Sequence, residues 1–396
     1  MIDKAIIEGR LSEPFNADGV HTHCQEYSIE QCRSYLSKHV LNNSSGDLEL
    51  FERVDRGKYK RLEFYIRRDA YIDILEPVFL PADVISKDIM KYFSALLRVL
   101  GMEAKGWDPY AESRAMLDDL NGFFKIDKPK KWFKKPLETH WRLGLLLYTH
   151  IVEMDAPYEV ILNMLRFQLG AGYSPNPYFD YLSLKEQKQF KKRGISTIRK
   201  IEIIKTLSNK ANLKVGEIFD DFYDNRIRNA ISHSDYILTE DSFRCRGGIS
   251  GDNGFEKTFD DLDKMLLSAK AFIAAFFCIE QTARSIWGEM ANKAIPYDNH
   301  YKGMMEVLAD KNELMCGFKV HWPNETDSTY RRTADGVEMT NCMPAIQQNT
   351  LELMVGLYAS DPSTFSPLVE KNGRPVYTKR EGNDEPLHWP GDGSVT

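Results

Sequence analysis

The chain has 396 residues, enough for two or three domains of ordinary size, so burial of a core is not limiting. With 42% hydrophobic and 28% charged residues it has the composition of a soluble globular protein, which excludes disordered and fibrous classes. A formal net charge of -6 argues against a protein that coats nucleic acid non-specifically, while leaving room for a local basic groove.

In chain order, residues 1–125 read as a mixed α/β region of unknown role. Ser28 followed by Gln31 is a capping box that opens a helix with Ile29, Cys32, Leu36 and Val40 at helical spacing. Leu48–Val54 and Tyr59–Ile66 flank Asp55-Arg-Gly-Lys58, which predicts a β-hairpin carrying Leu62, Phe64 and Ile66 on one face. A helix is expected from Ala82 to Leu100, stopped by Gly101, and Asp108-Pro109 starts another that reaches Asn121.

Residues 136–290 are helical in pattern. Leu143, Leu146, Leu147, His150, Ile151 and Met154 form an apolar stripe, and Asp155-Ala-Pro157 ends it and starts the next helix, which runs to Gly170. Helical patterns follow over 181–192 and 195–208, then a single helix over Val215–His233 with Ile218, Phe219, Phe222 and Ile227 inward. Ile237–Thr239 and Ser242–Cys245 predict a small hairpin. Thr258 followed by Asp261 then caps a long helix to about Trp287.

Residues 291–396 return to a mixed, small α+β region. Leu314–Trp322 alternates, Pro344–Tyr358 reads as a helix, and Asn372-Gly373 signals a hairpin before a loose Gly- and Asp-rich tail. Six cysteines are spread without a CxxC pair, so free thiols in a reducing compartment are expected. No start resembling a signal peptide and no apolar run of membrane-spanning length is present, and a cytoplasmic location is expected. Neither a metal nor a cofactor is called for: His21, His23, Cys24 and Cys32 fit no familiar zinc spacing, and the glycine-rich stretch 247–258 has Glu256 where a phosphate loop needs glycine.

One segment points to chemistry. Asp224-Asn-Arg-Ile-Arg-Asn-Ala-Ile-Ser-His233 holds Arg226, Arg228, Asn229 and His233 in one helical stretch. Histidine moves protons near neutral pH, and arginine holds a phosphate without losing its charge. On a helical wheel Arg226, Asn229 and His233 share a face, while Arg228 lies roughly 140° from His233. The string Arg228-Asn-Ala-Ile-Ser-His233, placed before a hairpin and a long helix, resembles the RNA-cleaving motif of the HEPN superfamily. The resemblance covers residues 136–290 and implies a mainly α fold, a HEPN-like helical bundle flanked by smaller α+β regions.

It further implies a metal-independent endoribonuclease in which His233 is general acid or base, Arg228 stabilises the phosphate, and Asn229 and Arg226 support. The 2′-hydroxyl of RNA supplies the nucleophile. HEPN members pair two such sites in one cleft, so a homodimer acting on single-stranded RNA is implied, with roles in defence or toxin-type growth control. Glu153, on an upstream bundle helix, is the candidate supporting polar residue. Lys131 and Lys134, interleaved with Trp132 and Phe133, and Lys191, Lys192 and Arg193 are candidate RNA-guiding cations. The blander readings are a solvated helix face for each basic run, and a histidine that simply closes a helix C-terminus. The competing function is a non-catalytic helical module that binds a nucleotide or a protein partner.

Overall fold

The computed structural model describes residues 2–7, 9–42, 49–84, 88–98, 109–125, 136–245, 254–298, 302–333, 336–347, 350–355, 369–371, 374–378 and 386–387. It is mixed α and β, with helix predominating up to Gly288 and antiparallel strands beyond it. Contacts divide the chain into two compact units, Met1–Tyr71 and Ile72–Thr396, a different partition from the three regions expected from composition. The helices Ile89–Leu97 and Pro109–Lys125 and the strands Gly303–Ala309 and Met315–His321 pack on the helices of residues 136–290.

The first unit contains α1 (Ile2–Ile7), α2 (Ala17–His23), α3 (Ile29–Lys38), β1 (Phe51–Asp55) and β2 (Lys58–Arg61). Asn16 caps α2 by accepting from the Gly19 amide at 2.8 Å, and the Ser28/Gln31 capping box of α3 is formed in both directions. Cys32 and Leu36 of α3 are buried with Phe15, Val20, Cys24 and Phe51 in one apolar cluster. β1 and β2 pair antiparallel around Arg56-Gly57, with Gly57 at φ +71°. The second arm of the hairpin is shorter than expected. After Arg61 the chain enters α4 (Glu63–Phe79), so Leu62, Phe64 and Ile66 do not share a strand face. Five residues that alternate cannot be told from a first helical turn by periodicity alone, and Leu62 O accepts from the amides of both Tyr65 and Ile66.

The second unit is built on α13 (Phe259–Gly288), which packs against α7 (Pro136–Glu153) and against the strands that follow it. Thr258 caps α13 by accepting from the Asp261 amide at 3.1 Å. Around these lie α5 (Ile89–Leu97), α6 (Pro109–Lys125), α8 (Asp155–Gln168), α9 (Leu184–Arg193), α10 (Thr197–Lys210), α11 (Val215–Asp220) and α12 (Asn225–Ser232). The α5 helix is shorter at both ends than the sequence pattern suggests, beginning after the Asp88 cap and ending at Arg98. Phe219, Phe222 and Phe272 are buried and meet pairwise at ring separations of 5.9, 5.4 and 5.3 Å, fixing α11 and the residues after it on α13. Asn163 of α8 acts as a side-chain peptide, accepting from the Ser174 amide and donating to the Ser174 carbonyl at 2.9 and 3.1 Å. That pairing satisfies a buried loop that no ladder reaches.

The small hairpin is a three-stranded sheet, β3 (Tyr236–Leu238), β4 (Ser242–Cys245) and β5 (Phe255–Thr258), in that order. After α13 come β6 (Ala294–Asp298), β7 (Gly303–Ala309), β8 (Met315–His321), β9 (Asp327–Thr333) and β10 (Gly336–Thr340), an antiparallel meander in order β10-β9-β8-β7-β6. α13 ends against this sheet: a Cβ on Gly288 would stand 2.0 Å from the Glu313 carbonyl oxygen. The helix expected over Pro344–Tyr358 is instead a hairpin, β11 (Cys342–Gln347) with β12 (Thr350–Val355). Thr350 and Val355 are β-branched, and an in-register partner strand outweighs a helical period read over so short a run. The described parts of 291–396 therefore contain strands and no helix, with β13 (Val369–Lys371), β14 (Arg374–Thr378) and β15 (Pro386–Leu387) forming the last sheet. Most of the expected loose tail lies outside the described residues. Among the described residues no helix is long and apolar enough to cross a membrane.

Candidate functional site

The single helix expected over Val215–His233 is two helices with a bend between them. Tyr148 of α7 is buried beneath the bend. Its hydroxyl donates to the Phe222 carbonyl at 3.0 Å and accepts from the Asp224 amide at 3.3 Å, satisfying two backbone groups that a continuous helix would have paired internally. Asp224 then turns extended, at φ -119° and ψ 109°, and its carboxylate accepts from the Arg226 amide at 2.9 Å. This is an N-cap, and it starts α12 one residue later. Ile227 and Ala230 are buried, and α12 packs on α7.

The other end of α12 closes with His233 as C-cap. Asp235 N–H donates to Ala230 O at 2.9 Å and Ser234 N–H to Ile231 O at 3.1 Å, with Ser234 at φ +55°. That is a Schellman closure with serine in the left-handed position that glycine usually takes. The side chain of His233 is exposed, and its imidazole makes no hydrogen bond among the described residues.

The two arginines go different ways. Arg226 folds back on its own cap, with Nη2 3.1 Å and Nε 3.4 Å from the Asp224 carboxylate, and its guanidinium lies 4.8 Å from the centre of the Phe255 ring. Burial pushes the Asp224 carboxyl up, but the bonds from Arg226 outweigh it and hold Asp224 below the usual carboxylate range. The wheel face that Arg226 shares with Asn229 and His233 is therefore not where its charge ends up.

Arg228 joins Asn229 instead. Its Nη1 donates to Asn229 Oδ1 at 2.9 Å, and its Nε donates to Glu153 Oε1 at 2.5 Å. The same Glu153 oxygen accepts from Thr197 Oγ1, at the start of α10, at 3.2 Å. Burial pushes Glu153 up, yet Arg228 and Thr197 hold it below its ordinary value, so it is a carboxylate at neutral pH. Next to this pair, burial and the nearby carboxylates push the Tyr223 hydroxyl up to about 12, against the pull of Arg228. α7, α10 and α12 thus converge on the Glu153 carboxylate and, through it, on the Arg228 guanidinium. Its two bonds use two of the five N–H donors, and the side chain keeps 27% of its surface exposed.

A cavity of about 380 Å³ lies on the N-terminal side of α12, bounded by Lys205, Asp220, Tyr223, Asp224 and Arg226. His233 is not on its wall, so Arg226 and His233 face different spaces. Lys192 and Arg193 are exposed at the end of α9, as an RNA-guiding role requires. Arg193 precedes Thr197 by four residues, so its backbone lies within roughly 14 Å of the Thr197 backbone, whose side chain bonds Glu153. Further along the same basic run the charges are taken: Lys200 is buried and paired with Asp155, and Arg199 is 3.0 Å from Glu186 and from Glu202. Lys131 and Lys134 lie outside the described residues, as does the side chain of Lys191. Among the described residues no group of three His, Cys, Asp or Glu side chains is placed to hold a metal ion.

Two charged clusters were not visible in the sequence. His321 of β8 sits between Glu306 and Asp327, at 2.8 and 3.0 Å, on neighbouring strands. Four arginines from α5, α6, α13 and β9 line a second cavity in the same unit. Strand register brings the first three together across adjacent strands, and the arginines, spread from Arg98 to Arg332, meet only through helix and sheet packing. The chain matches no family model, no curated protein and no solved structure.

Proposed function

We propose that this chain is a metal-independent endoribonuclease of HEPN type that cleaves single-stranded RNA as a homodimer. The observation that carries the proposal is the Arg228–Asn229 hydrogen bond on the same short helix that ends in an exposed imidazole without a hydrogen-bond partner, His233. Arg228 keeps N–H donors for a phosphate oxygen, where charge-assisted bonds are strongest as the phosphorane gains charge. Asn229, Glu153 and Thr197 are positioning residues that aim the guanidinium. The 2′-oxygen attacks phosphorus and loses its proton to one neutral imidazole, and the 5′-oxygen leaves with a proton from a second, protonated imidazole. In a homodimer those are His233 and the partner's His233. The products are a 2′,3′-cyclic phosphate and a 5′-hydroxyl. The resemblance of the Arg228–His233 segment to HEPN members supports a role in defence or toxin-type growth control.

The test incubates the purified chain with end-labelled single-stranded RNA in EDTA, beside His233→Ala and Arg228→Ala. Cleavage by the wild type alone, leaving 2′,3′-cyclic ends, is the expected result. Absence of cleavage, or equal cleavage by either variant, rejects the proposal.

A second reading draws on the 2.5 Å contact with Glu153, which already neutralises Arg228. In that reading the bundle is a non-catalytic module for a nucleotide or a protein partner. Binding of RNA or mononucleotide that Arg228→Ala abolishes, without turnover, selects it.

A further inference from the structure

A further cavity, of about 470 Å³, lies within the first unit, walled by α2, α3, the β1–β2 hairpin and the first turns of α4. Its floor is apolar: Val20, Cys24, Cys32 and Phe51 belong to the buried cluster of this unit and also border the cavity. Two cysteines and a valine are too short to fill the space between the two helices and the hairpin. Interiors normally pack without gaps of this size, and the volume is that of a small-molecule site. Tyr27 and Tyr35 stand on its wall with 44% and 42% of their surface exposed, and the Tyr35 ring meets Phe51 edge-on at 6.1 Å.

The polar part of the wall comes from Arg61, Arg68, Tyr65 and Gln31. Arg61 is engaged by the fold, with Nη1 3.3 Å from Asp69 Oδ2 and Nε 3.6 Å from Glu13. Arg68 meets the same Asp69, but both of its bonds, from Nε at 2.9 Å and Nη2 at 2.7 Å, go to Oδ1. Its Nη1 makes no hydrogen bond among the described residues and keeps accessible surface, on a side chain 29% exposed. The guanidinium lies 4.9 Å from the centre of the Tyr65 ring, one helical turn earlier, so the Tyr65 hydroxyl stands beside it. That hydroxyl is also accessible and makes no hydrogen bond among the described residues. Burial, with Glu49, pushes it up against the pull of Arg68, so at neutral pH it keeps a proton to donate. Gln31 Oε1 already accepts from the Ser28 amide at 2.7 Å, which leaves its N–H groups for the cavity.

This wall offers donors, and no carboxylate side chain belongs to it among the described residues. A ligand must therefore bring the acceptor. Arg61 and Arg68 are matched in number by Asp69 and Glu13, so no excess of positive charge draws in a polyanion such as a phosphate. A single carboxylate on an apolar body meets both halves of the cavity. One of its oxygens takes a charge-assisted bond from Arg68 Nη1 and the other a bond from the Tyr65 hydroxyl, while the apolar body covers Val20, Cys24, Cys32 and Phe51.

We propose that this cavity is a binding site for a small apolar monocarboxylate, its carboxylate held by Arg68 and Tyr65 and its ring or chain buried on the cysteine-lined floor. The site lies in the other unit from α12 and goes beyond the nuclease reading. The test is isothermal titration of the full chain, at constant ionic strength, with 2-naphthoate, decanoate and methyl 2-naphthoate. Saturable one-to-one binding of at least one carboxylate is expected, weakened at least about tenfold by Arg68→Met and about threefold by Tyr65→Phe. Both side chains are partly exposed, so either variant keeps the test valid if the other does not fold. Tighter binding of naphthoate identifies an aromatic acid, tighter binding of decanoate a fatty acid, and equal affinity a site that reads the carboxylate alone; each supports the site. Absence of saturable binding by either carboxylate overturns the proposal, as does affinity that survives Arg68→Met unchanged. The methyl ester binding as tightly as 2-naphthoate also overturns it, because the charge would then play no part. Loss of binding in Arg228→Gln, with none in Arg68→Met, would put the carboxylate on α12 and equally overturns it.

Discussion

Glu153→Gln isolates what holds the candidate arginine in place. Glu153 is the last residue of α7, where a negative charge opposes the helix dipole and costs roughly 0.3–1 kcal/mol. Stability of α7 alone would prefer a neutral residue there. What offsets that cost is the bond from Arg228 Nε at 2.5 Å, with the two side chains 37% and 27% exposed. A charge-assisted hydrogen bond contributes about 1.5–3 kcal/mol when well shielded, and solvent screening at this exposure reduces it to about 1–2 kcal/mol. Removing the charge while keeping the shape reduces that bond to one with a neutral acceptor and relieves the dipole, for a net destabilisation of up to about 1 kcal/mol. In a unit spanning Ile72–Thr396 that is a fall in Tm of roughly 1–2 °C at most.

The assay is urea unfolding of wild type, Glu153→Gln, Arg228→Gln and the double variant, which yields the coupling between the two side chains directly. A coupling of about 1–2 kcal/mol at pH 7 is expected. The pH dependence has a definite sign. Glu153 has a lowered pKa in the folded chain, so its contribution is fully present above the unfolded value, about 4.3, and is lost as pH falls through the folded value. A coupling below about 0.3 kcal/mol at pH 7, or one that persists undiminished at pH 2, would refute the argument that Glu153 orients Arg228.

Three further outcomes follow from the same geometry. Tyr148→Phe leaves the Phe222 carbonyl and Asp224 amide without their partner beneath the bend, so a loss of about 1–3 kcal/mol and faster amide exchange over Phe222–Arg226 are expected; a variant as stable as wild type would mean water replaces the hydroxyl. Asp224→Ala removes the cap of α12 and costs about 1 kcal/mol at pH 7. Because the Asp224 pKa is lowered in the folded chain, the difference from wild type should vanish as pH falls below the unfolded value, about 3.9, and through the folded one; a loss independent of pH would show that the carboxylate is not the cap. Gly288→Ala drives a Cβ into the Glu313 carbonyl, 2.0 Å away, and should cost about 1–3 kcal/mol in a thermal melt, where no change would mean that the turn before β8 moves aside freely.

The helices of the bundle were legible wherever local signals coincide. Ser28 and Thr258 each cap a helix that the apolar spacing also demands, and the start of α8 at Asp155-Ala-Pro157 follows from proline's place in a first turn. What escaped has its cause far away in the chain. The bend before α12 is set by the hydroxyl of Tyr148, 76 residues before Asp224, and no local pattern contains it. Arg98 meets Arg332 across more than two hundred residues, so four arginines scattered singly through the sequence carried no signal of a shared cavity.

The two arginines of α12 make the same point at the scale of a site. Residues 226 and 228 are chemically identical and two apart, and a helical wheel ranks Arg226 as the closer companion of His233. A long, flexible cation goes to the nearest carboxylate its stem can reach, and backbone phase matters less than that. The cap that starts the helix supplies Asp224 and retains Arg226; the end of α7 supplies Glu153 and draws Arg228 across to Asn229. An Asp224→Asn variant would keep a capping side chain while discharging the competitor for Arg226. If carboxylate position is what assigns the roles, Arg226 loses its ion pair in that variant and the Arg228–Glu153 coupling stays unchanged. A coupling that falls with Asp224 discharged would mean the two arginines are assigned together, and that the wheel face, not the nearest carboxylate, governs the site.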